Sequence, residues 1–131
     1  MHKIPYGRQS VDQRDIDAVT EVLGGDWPTQ GPTIEAFERA IADRVGASHA
    51  VAFSSGTAGL HACTSVAGLG PGDLVVTSPL TFMASANCAR YVGADVGLVD
   101  IDSETLNLDL NEVPGRAEAV VAVHFAGLPV D

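Results

Sequence analysis

Four short apolar runs recur along the later part of this sequence: AVAF (50–53), LVVT (74–77), VGLVDI (96–101) and AVVAV (119–123). They are continuous rather than alternating in polarity, the pattern of parallel strands buried on both faces. Helix-like stretches at 57–67 and 82–92 separate the first three. Strand, helix and strand in repeated succession read as βαβ crossovers, and the units share no sequence that would make them a repeat array. The expected fold class is therefore α/β, with a mostly parallel sheet and flanking helices. The stretch 57–67 is apolar almost all round, so it is expected to pack deep against that sheet.

Residues 1–48 follow a different rule. Ser10 and Gln13 form a capping-box pattern, and Ile16, Val19 and Leu23 then recur at helical spacing until Gly24-Gly25 ends the run. The segment DWPTQGP (26–32) reads as a loop. Thr33 caps a second expected helix, with Ile34, Phe37, Ile41 and Val45 along one face and Gly46 just beyond its end. Both helices are amphipathic, so each is expected to cover something. The change of pattern divides the chain into an N-terminal helical arm with its loop, 1–48, and a strand-and-helix part, 49–131.

Charge and apolar length exclude several classes of partner. Seven Lys and Arg against 17 Asp and Glu leave a net charge of −10, which argues against binding to a nucleic-acid backbone. No apolar run approaches the ~18 residues of a membrane span, and the opening MHKIPYGRQS has no signal-peptide core, so no membrane partner and a cytoplasmic setting are expected. Cys63 and Cys88 stand outside any metal-ligand or redox spacing; both read as small buried hydrophobes, and no metal site is expected.

The first apolar run ends in SSGTAGL (54–60), where a strand end meets two hydroxyls, a glycine and a helix start. Ligands of open parallel sheets bind beyond the carboxyl ends of the strands. Gly56 lets a backbone approach a ligand closely, and the N–H groups of Thr57, Ala58 and Gly59 are expected to be free at the helix start. With the helix dipole and the Thr57 hydroxyl they would favour a phosphate. A plain N-cap role for Ser55 or Thr57 is the competing reading. After the second strand, TSPLTFMASAN (77–87) brings Phe82, which could stack on a planar ring or fill a core, and Asn87, which could offer an amide. A phosphate cradle and an aromatic at neighbouring strand ends fit a flat phosphorylated cofactor such as pyridoxal 5′-phosphate (PLP).

The stretches SSGTAGLH, GLGPGDLVVTSPLTFMASANCARYVGADVGLVDID and VHFAGLPVD resemble the DegT/DnrJ/StrS family of sugar aminotransferases, and the likeness covers essentially all 131 residues. The opening IPYGRQSVDQRDIDAVTEVLGGDWPTQGP looks most like the branch of UDP-4-amino-4,6-dideoxy-N-acetyl-β-L-altrosamine transaminases of pseudaminic acid synthesis. The resemblance implies the fold type I aminotransferase architecture and a homodimer that moves an amino group, usually from glutamate, onto a keto-sugar nucleotide through PLP. Residues 49–131 would then be the first half of the cofactor-binding large domain. Position by position, it implies that Gly56, Thr57 and Ala58 hold the cofactor phosphate and that Phe82 stacks on the pyridine ring. Tyr6, Asp26, Trp27, Pro28 and Thr29 match the substrate side. Trp27 reads equally as a hydrophobic staple for the second helix, and His124, at the end of an apolar strand, reads as structural rather than catalytic.

One requirement of the family is missing. A PLP transaminase needs a lysine for the Schiff base and a carboxylate on the pyridine nitrogen. Lys3 is the only lysine among the 131 residues and lies in the N-terminal arm, and the family's Glu-Asp and Ser-x-x-His-x-x-Lys segments are absent. The expectation is an N-terminal piece of a sugar aminotransferase, inactive by itself and without a catalytic residue of its own. The alternative is a non-catalytic module that binds a phosphorylated ligand or a full-length homologue.

Overall fold

The structure is a computed structural model that describes residues 7–131. Lys3 and Tyr6 lie outside the described residues. The chain forms two compact units, Met1–Ala52 and Phe53–Asp131.

The first unit carries α1 (Gln13–Gly24) and α2 (Pro32–Val45). The capping box of α1 is built two residues later than expected. Asp12 accepts from the N–H of Arg14 at 2.8 Å and of Asp15 at 3.3 Å, and the Asp15 carboxylate accepts from the Asp12 N–H at 2.8 Å. Carboxylates make stronger caps than the Ser10 hydroxyl and Gln13 amide, because their hydrogen bonds are charge-assisted and meet the positive end of the helix. α2 begins at Pro32, whose missing N–H costs nothing at a first helical position; Gly31 is the cap residue, and Thr33 falls inside the helix. Gly46, with φ 71°, ends it in the left-handed conformation.

The expectation that both helices cover something is not met in this chain. α1 has no buried residue and α2 only Ala42, while Ile16, Val19, Leu23, Phe37 and Val45 remain exposed. Residues 50–53 are not a strand either. The Ala52 N–H donates to Glu38 Oε1 at 2.8 Å instead of entering a ladder. A strand exists only through its neighbour, and among the described residues the sheet contains just the later three runs.

The second unit runs α3 (Gly56–Val66), β1 (Leu74–Thr77), α4 (Ala84–Tyr91), β2 (Asp95–Leu98) and β3 (Ala119–Val121). The strands are parallel, in the order β2-β1-β3, with Thr77 opposite Leu98 on one side and Val121 on the other. β1 is buried along its whole length, as a central parallel strand should be. Leu74 and Val76 pack with Val99 and Leu108, backed by Val113 and Ala117, on one face; Val75 packs with Ala89 and Ala94 on the other. β2 and β3 are only partly buried because each has β1 on one side alone.

α4 buries Ala84, Ser85, Cys88 and Ala89, a stripe of small residues that lets it lie close to β1 and β2. α3 does not pack deep against the sheet as expected. Only Thr64 is buried, and the helix lies on α4, where Thr64 Oγ1 donates to the Cys88 carbonyl at 3.1 Å and the rings of His61 and Tyr91 are 5.2 Å apart. Its apolar character comes largely from small residues, which offer little area to drive burial. Cys88 is fully buried as expected, and burial raises the pKa of its thiol; Cys63 is exposed, contrary to expectation.

Candidate functional site

α3 opens on Ser55, Gly56, Thr57 and Ala58. Ser55 is the N-cap, and its hydroxyl accepts from the Ala58 N–H at 3.2 Å while its carbonyl accepts from Gly59 N–H at 3.1 Å. Two of the three donors expected to be free are therefore occupied. Among the described residues the N–H groups of Gly56 and Thr57, and the Thr57 hydroxyl, have no protein partner. The N-cap description therefore holds for Ser55, whose hydroxyl takes the Ala58 N–H.

Gly56 is not demanded by the fold. Its φ lies outside the left-handed region, and a Cβ built on it would meet no heavy atom within 4 Å. The space in front of the helix is open, and α3 has no acidic residue in its first turn, unlike α1 with Asp15 and α2 with Glu35. Free donors, open space and no fixed negative charge suit a phosphate, so the residues present fit the phosphate end of PLP.

Phe82 follows the carboxyl end of β1 and leads into α4. The residue is 76% exposed, which rules out the core reading within this chain. Nearby hydroxyls are tied down: Ser78 Oγ accepts from Leu80 N–H at 3.0 Å, Thr81 and Ser85 share a 2.7 Å hydrogen bond, and Thr77 Oγ1 donates to the Val121 carbonyl at 2.8 Å. The loop that presents Phe82 is thereby fixed while the ring itself is free. The α3 opening and Phe82 belong to one unit, carried by two helices that pack on each other. Asn87 is half-buried on α4.

The loop 26–29 belongs to the first unit. Trp27 is 65% exposed and lines two shallow depressions: one of about 480 Å³ with Gln30, Gly31, Pro32, Ile34 and Glu35, and one of about 380 Å³ that also touches Asp26 and Thr33. Pro28 and Thr29 are exposed and line neither. Trp27 sits four residues before the cap Gly31, not directly before it, so it is not the expected staple. What it does is fix Gly31: a Cβ there would stand 2.6 Å from the Trp27 Cβ. Sequence reasoning missed Gly31, although a glycine between Gln30 and a helix-opening proline was a signal for it.

His124 is exposed three residues beyond β3, and its Nδ1 accepts from the Val130 N–H at 3.1 Å. Among the described residues no group of three His, Cys, Asp or Glu could hold a metal ion, and no helix is long and apolar enough to cross a membrane.

A profile of the DegT/DnrJ/EryC1/StrS aminotransferase family matches residues 9–131. The chain belongs to that family. It is 43% identical over 134 residues to the spore coat polysaccharide biosynthesis protein SpsC of Bacillus subtilis (strain 168), covering 99% of this chain and 34% of the relative. It is 37% identical over 132 residues to a UDP-4-amino-4-deoxy-L-arabinose–oxoglutarate aminotransferase of Shewanella sediminis (strain HAW-EB3), covering 98% and 34%. Among solved structures it superposes on Spr1654 of Streptococcus pneumoniae, assigned as a sugar aminotransferase and solved in its PMP form. That match has a TM-score of 0.91 at 28% identity and covers 99% of this chain and 34% of that one. The chain thus spans about a third of the length of these relatives. The parallel sheet with its flanking helices agrees with the fold class expected of DegT/DnrJ/EryC1/StrS proteins, and PLP is the cofactor expected for the family.

Proposed function

We propose that this chain is the part of a PLP-dependent sugar aminotransferase that holds the cofactor's phosphate and ring, in a reaction that moves an amino group from glutamate onto a keto-sugar nucleotide. The observation that carries the reading is a family match running through Gly56, Thr57, Ala58 and Phe82, together with free donors and open space at the α3 opening. In this reading Gly56 and Thr57 donate their N–H groups to the phosphate and Thr57 adds its hydroxyl. Ala58 joins them when the Ser55 hydroxyl turns away. Phe82 covers one face of the ring. The family resemblance assigns Asp26, Trp27, Pro28, Thr29 and Tyr6 to recognition of the sugar nucleotide.

PLP, when bound, supplies an electron sink for charge developing beside the transferred nitrogen. The family's Glu-Asp and Ser-x-x-His-x-x-Lys segments, which carry the carboxylate and the amine such chemistry needs, are absent from the sequence, whose only lysine is Lys3. The reading therefore assigns them to polypeptide other than these 131 residues. A relative named for a UDP-aminosugar and oxoglutarate supports a nucleotide sugar and a glutamate-type donor. The finer substrate we propose is a UDP-4-keto-6-deoxy-N-acetylhexosamine, as in pseudaminic acid synthesis, handled by a cytoplasmic homodimer.

Equilibrium dialysis of the chain against PLP, with inorganic phosphate as competitor and borohydride added at the end, tests the reading. Reversible binding displaced by phosphate, without a stoichiometric adduct on Lys3, is expected. No binding, or a stoichiometric Lys3 adduct accompanied by transamination, overturns it.

A further inference from the structure

Asn107 is 5% exposed, and its side chain reaches a segment 18 to 22 residues away. Oδ1 accepts from the Phe125 N–H at 2.9 Å, and Nδ2 donates to the carbonyls of Leu128 at 3.1 Å and Pro129 at 3.0 Å. Both donor hydrogens are used, and the oxygen has a partner. The gripped segment begins four residues beyond β3, at Phe125, and contains two consecutive left-handed residues, Ala126 with φ 50° and Gly127 with φ 86°. Alanine rarely adopts such a conformation, so the surrounding hydrogen bonds must hold it.

The same turn fixes the imidazole of His124, whose Nδ1 accepts from the Val130 N–H at 3.1 Å. A ring nitrogen that accepts carries no proton, so the neutral ring bears its proton on Nε2. His124 is exposed, and among the described residues its Nε2 has no hydrogen-bond partner. β3 is paired in parallel with β1, Val121 opposite Thr77. His124 thus lies three residues beyond the carboxyl end of β3 and Phe82 five residues beyond that of β1, its neighbouring parallel strand.

The geometry points to His124 as a preset hydrogen-bond donor to an oxygen of the ligand bound beyond β1 and β3, with Asn107 as the positioning residue that holds it there. The inference rests on the PLP reading above and adds a contact to it. The acceptor is a ring or phosphate oxygen of a PLP-type ligand, because only an acceptor satisfies a neutral N–H.

Imidazole-selective nitrogen-15 spectra of the chain test both parts. In the free protein His124 is expected as a single Nε2–H tautomer, and Asn107→Ala should convert it to a tautomer mixture while the α3 and α4 amide signals stay in place. On titration with PLP the His124 Nε2–H should shift together with the Gly56 and Thr57 amides. His124→Phe and Asn107→Ala should each weaken PLP binding about three- to tenfold, the second without touching the ligand. A tautomer mixture in the wild type overturns the inference. Cradle amides that shift while His124 does not also overturn it and leave the PLP reading standing; if neither shifts, both fall. Should Asn107→Ala fail to fold, the wild-type tautomer and His124→Phe still decide.

Discussion

Gly56→Ala separates a glycine kept for the fold from one kept for a ligand. Residue 56 is the first of α3, its φ is outside the left-handed region, and an added Cβ meets nothing within 4 Å. For the protein alone the substitution is therefore favourable: it narrows the unfolded ensemble, which is worth about 0.4–1 kcal/mol. At about 4–8 °C per kcal/mol for a small domain, the melting temperature should rise by a few degrees. For the ligand the same methyl is harmful. A helical Cα–Cβ bond tilts toward the N terminus, so the methyl projects into the space where the phosphate is proposed to sit. Loss of close approach and of one charge-assisted hydrogen bond amounts to about 1.5–3 kcal/mol, roughly ten- to a hundredfold in PLP affinity. Thermal melts by circular dichroism and equilibrium dialysis with PLP measure the two effects separately. Higher stability with unchanged PLP affinity would falsify the cradle assignment. A fall of several degrees would show instead that the glycine serves the fold.

Phe82→Ala should leave stability within about 0.5 kcal/mol, since the ring is mostly exposed, yet weaken PLP binding two- to tenfold, the order of an aromatic stacking contact, and shift the ligand's absorbance; a large loss of stability would return Phe82 to the core. Ser55→Ala removes the hydroxyl that caps Ala58 and should lower stability by about 0.5–2 kcal/mol in urea titrations; no loss would mean that the cap is not formed. The α1 cap should respond to acid. The Arg14 side chain, followed by its backbone N–H, lowers the pKa of Asp12 below the usual aspartate value. A depressed carboxylate pKa stabilises above the unfolded value and ceases to do so as pH falls through the folded one. Hydrogen exchange of the Arg14 and Asp15 amides should therefore quicken at acid pH relative to mid-helix amides, and equal protection at every pH would refute the cap.

The parts legible in the sequence were those decided by neighbours in the chain. The glycine and hydroxyls before α3 and the Gly46 that ends α2 announce themselves within a few residues, and the structure has both. The misplaced α1 cap is a near miss of the same kind: Ser10-x-x-Gln13 and Asp12-x-x-Asp15 overlap, and the carboxylates win on bond strength. Features decided across the chain were not legible. AVAF at 50–53 is as apolar as LVVT at 74–77, but only the second has strands on both sides. Nothing local distinguishes Asn107 from its neighbours, because its partners lie beyond residue 124. The hydrogen bond that Val130 makes to His124 is likewise set by the turn that follows it, which nothing in the apolar run before His124 announces.

A chain of net charge −10 would seem a poor host for a phosphate, and the resolution lies in distance. Coulombic repulsion from dispersed surface carboxylates is screened beyond about 8 Å at physiological ionic strength. The donors at Gly56 and Thr57 act at contact, and the first turn of α3 carries no acid to oppose them. Binding should therefore be driven by short-range hydrogen bonds and the helix end, with the rest of the surface weakly opposed to it. A basic-patch binder behaves in the opposite way, losing affinity steeply as salt competes for its lysines and arginines. PLP affinity of this chain is accordingly expected to stay level or rise as potassium chloride is increased, because screening removes the repulsion before it touches the contact bonds. Dialysis across a salt series decides the matter. A steep fall in affinity with salt would place the phosphate against Arg side chains rather than at the α3 opening, and Gly56→Ala would then have little effect on binding.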